Sequence, residues 1–341
     1  MEKTADFTEG RILSRLLRFA LPVLAALFLQ AMYGAVDLMV VGQFGAPTDV
    51  SAVSTGSQIM QTVTSLITGL AMGITILVGQ KIGEKRPEQA GDVIGSGICL
   101  FGVLAAVLTV LMILGAGFLA GLMHAPDEAF SQTVDYIRIC FAGAVFIIAY
   151  NVLGSIFRGI GDSRMPLFTV AAACVFNIGG DLLLVAGFHM GAAGAALATV
   201  AAQAASVLLS LAVIRRRTLP FTIGKKNLRF ERRLVGRILA LGTPIALQDL
   251  LVSISFLVIL AIVNSMGVIA SAGVGVAEKL CAFIMLVASA YMQSMSAFVA
   301  QNMGAGKPER AKRALLYGIG TSLMAGVTLF YFSFFHGDAM A

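Results

Sequence analysis

Long apolar runs separated by short polar connections dominate the pattern along the chain. Each run holds about 20 residues or more, the length that an α-helix needs to cross the hydrocarbon core of a bilayer. Strands of a membrane barrel would alternate over about ten positions, and a run such as 103–114 does not alternate. The pattern predicts an all-α polytopic membrane protein with nine spans, at about 17–41, 51–79, 93–123, 134–157, 165–187, 191–214, 236–263, 268–299 and 313–335.

Composition supports this prediction, and the basic residues give the topology a direction. Hydrophobic residues make up 58% of the chain and charged residues 12%, against roughly 25% charge in soluble domains. If every run crosses, all 24 Lys and Arg residues except Arg138 and Lys279 fall on one side. Basic connections mark the cytoplasmic side, so we expect a multi-pass protein of the plasma (inner) membrane with a cytoplasmic N-terminus. The net charge of +6 then reflects topology, and no nucleic-acid partner is expected, because that would require the basic residues to cluster on a folded face.

The second half of the chain repeats the first. The connection Gln80–Ala90 recurs as Gln301–Ala311, 221 residues later, with Gln, Gly, Pro, Glu and Ala at matching places. Both copies fall on the same membrane side, which predicts a parallel repeat of six spans, a plan common among secondary transporters. We therefore expect an N-terminal six-helix lobe (1–214), a cytoplasmic basic linker (215–236) and a partial, three-helix C-terminal lobe (237–341). Because the second lobe stops three helices short, we expect the chain to be a fragment. We also expect a monomer.

Acids inside apolar runs are costly, so they mark candidate sites. Asp37 lies in the first run, Asn177 and Asp181 lie four residues apart in the fifth, and Thr199 lies in the sixth. A helix rises about 1.5 Å per residue, which places Asp37, Asp181 and Thr199 roughly 6–12 Å below the outer surface. Two carboxylates, an amide and a hydroxyl in one layer predict a site for a hard cation such as Na⁺, or for a proton that replaces it. The alternative is that Asn177 and Thr199 only hold helices together through hydrogen bonds.

A wider set of residues is predicted, on weaker grounds, to line a substrate cavity. Gln30 and Tyr33 share a helix face with Asp37, and Gln203 shares one with Thr199. In the second half the alternative role of Lys279 is to neutralise nearby acids, and the alternative role of the methionines is ordinary core packing. The full set is Gln30, Tyr33, Gln203, Gln248, Asp249, Glu278, Lys279, Met285 and Met292. No nucleophile with its base can be named, so we expect no enzyme and no cofactor beyond the coupling ion.

These features resemble the multidrug and toxic compound extrusion (MATE) transporters, in particular the DinF-like branch. The resemblance is carried by Pro22 with Asp37–Gly42, by the two repeated connections, by Phe157–Pro166 and by Gly191–Thr199. It implies twelve spans in two six-helix lobes that alternate between outward-open and inward-open states around a central cavity, so this chain would end after the ninth helix. It also implies that the coupling ion binds at the positions of Asp37, Asn177, Asp181 and Thr199.

The function expected from the resemblance is a secondary antiporter that exports drugs or other organic compounds in exchange for Na⁺ or H⁺. Its partners would be the lipid bilayer and an organic small-molecule substrate. Two alternatives stay open: a flippase of lipid-linked oligosaccharides from the same superfamily, which would need a cationic cavity, and a non-transporting membrane fragment, which would show no ion dependence.

Overall fold

The described residues form ten α-helices and contain no strand. The computed structural model describes residues 6–217, 219–221, 224, 226–264 and 268–335, with only the backbone at 257, 260–261, 264, 268–280 and 332–334. The helices are α1 (Ile12–Phe44), α2 (Pro47–Gly83), α3 (Pro87–Leu122), α4 (Phe130–Ala142), α5 (Ala144–Gly159), α6 (Arg164–Asp181), α7 (Gly191–Arg216), α8 (Arg232–Asn264), α9 (Val268–Gly304) and α10 (Pro308–Phe335).

Within these described ranges, eight helices are long and apolar enough to cross a membrane, and α4 with α5 would make a ninth crossing if the bent pair counts as one span. The predicted all-α polytopic fold is thus confirmed. Apolar side chains such as Leu114 and Phe118 of α3 are 80% and 75% exposed, as expected of helix faces that contact lipid rather than water.

The fourth predicted span is broken rather than straight. Its two halves, α4 and α5, meet at Gly143 with a bend of 53°. A Cβ atom at Gly143 would collide with the side chain of Val200 on α7, so glycine is required where α7 crosses the bend. The hydropathy of the run is continuous through this point, which is why the pattern alone predicted one helix.

The repeated connections have matching helix boundaries. Gly83 ends α2 and Gly304 ends α9, while Pro87 and Pro308 begin α3 and α10. Proline suits the first turn because that position needs no backbone N–H donor. The short motif therefore specifies the same helix–turn–helix structure twice.

The face that carries the basic connections and the N-terminal segment is here called the basic face. Several close approaches between α2 and the helices of the second half lie toward this face. Glycines allow these approaches. A Cβ added at Gly69 would overlap Ala246 of α8. A Cβ added at Gly83 would overlap Gln301 of α9, and one added at Gly304 would overlap Gln80 of α2. The chain is thus closed at the basic face.

The segment before α1 reinforces this closure. Phe7 is fully buried, stacks on Phe298 of α9 and meets the edge of Phe19 of α1, with ring centroids 5.0 Å apart in both pairs. Its carbonyl oxygen accepts hydrogen bonds from Asn302 (3.2 Å) and Arg310 (2.9 Å). The segment thereby ties α1 to the connection between α9 and α10.

The Phe7 contacts give a first testable prediction. We expect Phe7→Ala to lower the free energy of unfolding by about 3–5 kcal/mol, because a fully packed aromatic side chain is lost from a site that collapses only partly. Thermal unfolding of the purified chain measures the effect. Phe118→Ala is the matched control, since that ring faces lipid, and equal losses from the two variants would contradict the assignment.

Candidate functional site

Three helices bring the four predicted cation-site residues together. Asp37 lies on α1, Asn177 and Asp181 on α6, and Thr199 on α7. The Thr199 hydroxyl donates to Asp37 Oδ2 at 3.4 Å, and Asn177 Nδ2 donates to Thr199 Oγ1 at 3.5 Å. The carboxyl groups of Asp37 and Asp181 lie close enough to interact electrostatically. The depth argument from the sequence thus agrees with the position of these side chains.

Several oxygens of this cluster are buried without a donor. They are Asp37 Oδ1, Asn177 Oδ1 and both carboxylate oxygens of Asp181, and Asp181 itself is fully buried. The two hydrogen bonds that do form are longer than the 2.7–3.2 Å typical of such bonds. Buried polar atoms without partners are costly, so the cluster has coordinating capacity that its own residues do not use.

The local sequence explains how α6 and α7 come close enough to share this site. Gly180 faces Ala198 of α7, and a Cβ at Gly180 would lie 2.9 Å from that side chain. The small pair lets the two helices pack closely, which sets Asn177 and Asp181 beside Thr199. After Asp181 the helix widens into a π-helical segment, Leu182–Gly187, a distortion that often accompanies functional sites.

The donor set fits a small hard cation. Two carboxylates, an amide oxygen and a hydroxyl oxygen are the ligand types that such ions prefer. A single proton shared between Asp37 and Asp181 would also remove the repulsion between two buried carboxylates. No group of three His, Cys, Asp or Glu side chains that could hold a metal occurs among the described residues, so the amide and hydroxyl are essential to the proposed ligand set.

Part of the predicted cavity adjoins the cluster. Gln203 Nε2 of α7 lies 3.4 Å from the Tyr33 hydroxyl of α1, and Gln30 lies three residues before Tyr33 on the same helix. Gln203 Oε1 is a further buried oxygen without a donor. These three side chains extend the polar site from Asp37 toward the basic face along α1 and α7.

Those predicted cavity residues of the second half whose side chains the structure describes form no hydrogen bond with this cluster. Gln248 is exposed and Asp249 is half-buried on α8, while Met285 is exposed and Met292 half-buried on α9. The side chains of Glu278 and Lys279 lie outside the described residues. The cavity role of these six residues stays a prediction.

Two neighbours of the site were not predicted from the sequence. Tyr136 and Cys140 of α4 are buried and pack in one cluster with Val40 and Val41 of α1, on the helix that carries Asp37. Their spacing of four residues places them on one helix face. This spacing can be read from the sequence, but the hydropathy pattern does not show that this face of α4 packs against α1.

Comparison with known proteins identifies the family. The MatE family pattern matches residues 22–183 and 244–341. The chain is 29% identical over 318 residues to the probable multidrug resistance protein YoeA of Bacillus subtilis, covering 91% of the chain and 69% of that protein. It is 27% identical over 319 residues to a FAD transporter of Shewanella oneidensis, covering 91% of the chain and 69% of the relative.

A solved structure has the same fold. The structure described as the outward-facing conformation of a multidrug resistance MATE family transporter superposes with a TM-score of 0.89 at 23% identity, covering 97% of this chain and 74% of that one. Together with the family match over most of the sequence, this shows that the chain belongs to the MATE family of membrane transporters, which are not enzymes.

Proposed function

We propose that this chain is part of a secondary antiporter in which Asp37, Asn177, Asp181 and Thr199 hold the coupling Na⁺ or proton. The observation that carries the proposal is the set of buried, donorless oxygens that three separate helices place in one cluster. Helix packing alone does not account for two carboxylates there, because unpaired buried acids destabilise the membrane-embedded state.

The cluster can couple ion binding to helix movement because its charge changes with occupancy. With a cation or a proton bound, the facing carboxylates of Asp37 and Asp181 attract a shared positive charge. Without it, they repel each other across the contact between α1 and α6. A change in charge at Asp37 would reach α7 through Thr199, because the Thr199 hydroxyl forms hydrogen bonds with both Asp37 and Asn177. The π-helical segment after Asp181 is the place where the end of α6 can bend.

The conformation supports alternating access. The helices are closed at the basic face, and with that face in the cytoplasm this conformation would block the cytoplasmic path. The coupling ion would then enter the site from outside, and the organic substrate would leave by the same side. Binding of one ligand shifts the conformational equilibrium only as far as the two conformations differ in affinity for it.

The relatives suggest which substrates to test. One is named a multidrug resistance protein and another a FAD transporter, so both a lipophilic cation and a flavin nucleotide are reasonable cargo for this chain. Next to the proposed cation site lie the aromatic ring of Tyr33 and the side-chain amides of Gln30 and Gln203. These groups can hydrogen-bond to either kind of compound.

Transport by the chain in liposomes tests the proposal. Vesicles loaded with ethidium or with FAD are placed in an inward Na⁺ gradient or an inward proton gradient, and efflux is followed by fluorescence. We expect efflux of at least one probe that rises with one of the gradients, together with an inward flux of that ion. Efflux that neither gradient alters, or the absence of any ion flux, would contradict the proposal.

Thr199 offers a graded prediction. Thr199→Val keeps the shape of the side chain but removes the hydroxyl that joins Asp37 to Asn177, and a hydrogen bond to a charged group contributes about 1.5–3 kcal/mol. We expect the ion concentration for half-maximal efflux to rise about tenfold or more while transport persists. Thr199→Ser, which keeps the hydroxyl, should stay near the unmodified value. Identical ion dependence for the two variants would remove Thr199 from the site.

A further inference from the structure

A groove at the basic face lies outside the cation site. It has a volume of about 440 Å³. One wall is the turn between α2 and α3, with Ile82, Lys85, Arg86 and Pro87, and the other is the start of the linker, Leu219–Phe221. The groove therefore combines two basic side chains with an apolar lining at the level where the membrane helices end.

The linker is held against the first half of the chain, so the groove has a fixed shape. Phe221 is buried in the large apolar cluster that the first six spans form together with Ile238 of α8. Further along, Asn227 Nδ2 donates to Asp92 Oδ1 of α3 at 2.8 Å, and Ser96 of α3 donates to the Arg229 carbonyl at 3.0 Å. A Cβ at Gly95 would collide with the Asn227 carbonyl, which shows how closely the linker follows α3.

The backbone of Lys85 points to a role for its side chain. Lys85 has a φ of +57°, in the left-handed region, and the residue at its place in the repeated connection is Gly306, with a φ of +67°. This conformation is freely available to glycine and unfavourable for residues with a Cβ. The second copy of the turn shows that glycine suits it, so the lysine in the first copy is not required by the turn.

The charges around the groove leave Lys85 available. Glu84 is the acid nearest in sequence, and its carboxylate pairs with Lys81 at 2.8 Å, with Arg86 farther away at 3.8 Å. Across the described part of the chain Lys85 forms no ion pair, and its side chain is exposed. The described lining of the groove contains Lys85 and Arg86 and no carboxylate, so the charge of this lining is positive.

We propose that the groove binds an anionic phospholipid of the adjacent leaflet. The lipid phosphate lies between Lys85 and Arg86, and the first part of an acyl chain covers Ile82, Leu219 and Pro220. Basic residues at a membrane surface attract anionic lipids, and an apolar wall beside them suits a lipid better than a free anion. The lipid would bind the linker to the α2–α3 turn and so brace the connection between the two halves of the chain.

A single inserted fluorophore tests the proposal without any transport assay. The chain contains no tryptophan, so Leu219→Trp places the sole indole in the groove wall. The purified protein is mixed with brominated phosphatidylglycerol or with brominated phosphatidylcholine, and quenching is measured. We expect phosphatidylglycerol to quench at a several-fold lower mole fraction, and an excess of inorganic phosphate to leave this preference intact. Equal quenching by the two lipids, or loss of the preference in phosphate, would overturn the proposal.

Two charge variants and a control locate the binding. In the Leu219→Trp background, Lys85→Gly relieves the backbone conformation while it removes one charge, and Arg86→Gln removes the other. Each is expected to weaken the preference for phosphatidylglycerol roughly fivefold, as expected for one basic side chain near a membrane surface. Lys312→Gln removes an exposed charge from the same face outside the groove and should leave the preference unchanged. Equal effects of all three variants would show that the whole face, not the groove, attracts the lipid.

Thermal unfolding of the chain without the tryptophan gives an independent measurement. Phosphatidylglycerol should raise the unfolding temperature above the value in phosphatidylcholine, and Lys85→Gly should reduce this difference without lowering the stability in phosphatidylcholine. A lipid effect of unchanged size in Lys85→Gly would contradict the assignment.

Discussion

Replacing Asp181 with asparagine is expected to abolish ion-coupled efflux while the protein stays folded. The carboxylate of Asp181 is fully buried, and both of its oxygens lack a donor. The asparagine side-chain amide has nearly the same shape as the carboxylate, but it cannot carry the negative charge that attracts a cation or binds a proton. Efflux should fall to the level of vesicles without protein, and Asp37→Asn should behave in the same way because the two acids share one site.

Stability separates this result from simple misfolding. A buried carboxylate without a partner is destabilising, so the asparagine variants should unfold at the same temperature as the unmodified chain or at a higher one. Asp135→Asn is the matched control, because Asp135 is exposed on α4 and undergoes the same chemical change. Normal ion-coupled efflux from both Asp37→Asn and Asp181→Asn would remove the cluster from the mechanism.

Introducing a larger side chain at Gly304 is expected to open the basic face. The first carbon of any side chain there would overlap the backbone of Gln80 on α2, and neither backbone can give way without separating the helices. Overpacking of this kind costs about 1–3 kcal/mol. That penalty falls only on the conformation in which α2 and α9 touch, so Gly304→Val should shift the equilibrium away from it.

Distances between spin labels at Glu88 and Glu309 measure this shift. These residues lie near the starts of α3 and α10, at matching places in the repeat. Gly304→Val should increase the population with a long distance between the labels. Gly102→Val is the control, since an added Cβ at Gly102 meets nothing within 4 Å. Unchanged distances in Gly304→Val would contradict closure through this contact.

The sequence carries much of the fold because membrane insertion imposes strict rules on it. Spans need about 20 apolar residues, so their number and position could be predicted from hydropathy. The cluster of Asp37, Asn177, Asp181 and Thr199 could be predicted for a related reason. Asp37, Asn177 and Asp181 stand out because polar groups are rare in such runs, and a constant rise per residue places Asp37, Asp181 and Thr199 in one layer.

Other features depend on contacts that no local pattern encodes. The bend at Gly143 follows from the approach of Val200, which is distant in sequence. Phe7 lies in a polar segment that hydropathy assigns to solvent, yet it is buried against Phe298. The left-handed backbone of Lys85 could have been suspected only from its alignment with Gly306. In each case the deciding residue belongs to another helix or to the other half of the chain.

Ion exchange at the purified protein tests the central claim most directly. The chain is equilibrated with radiolabelled Na⁺ in one experiment and kept in weakly buffered solution in another, and a transported substrate is then added to saturation. We predict that the substrate displaces Na⁺ or releases protons in a fixed ratio to protein, and that Asp181→Asn shows neither effect although it remains folded. Equal ion displacement from Asp181→Asn and from the unmodified chain would contradict the account.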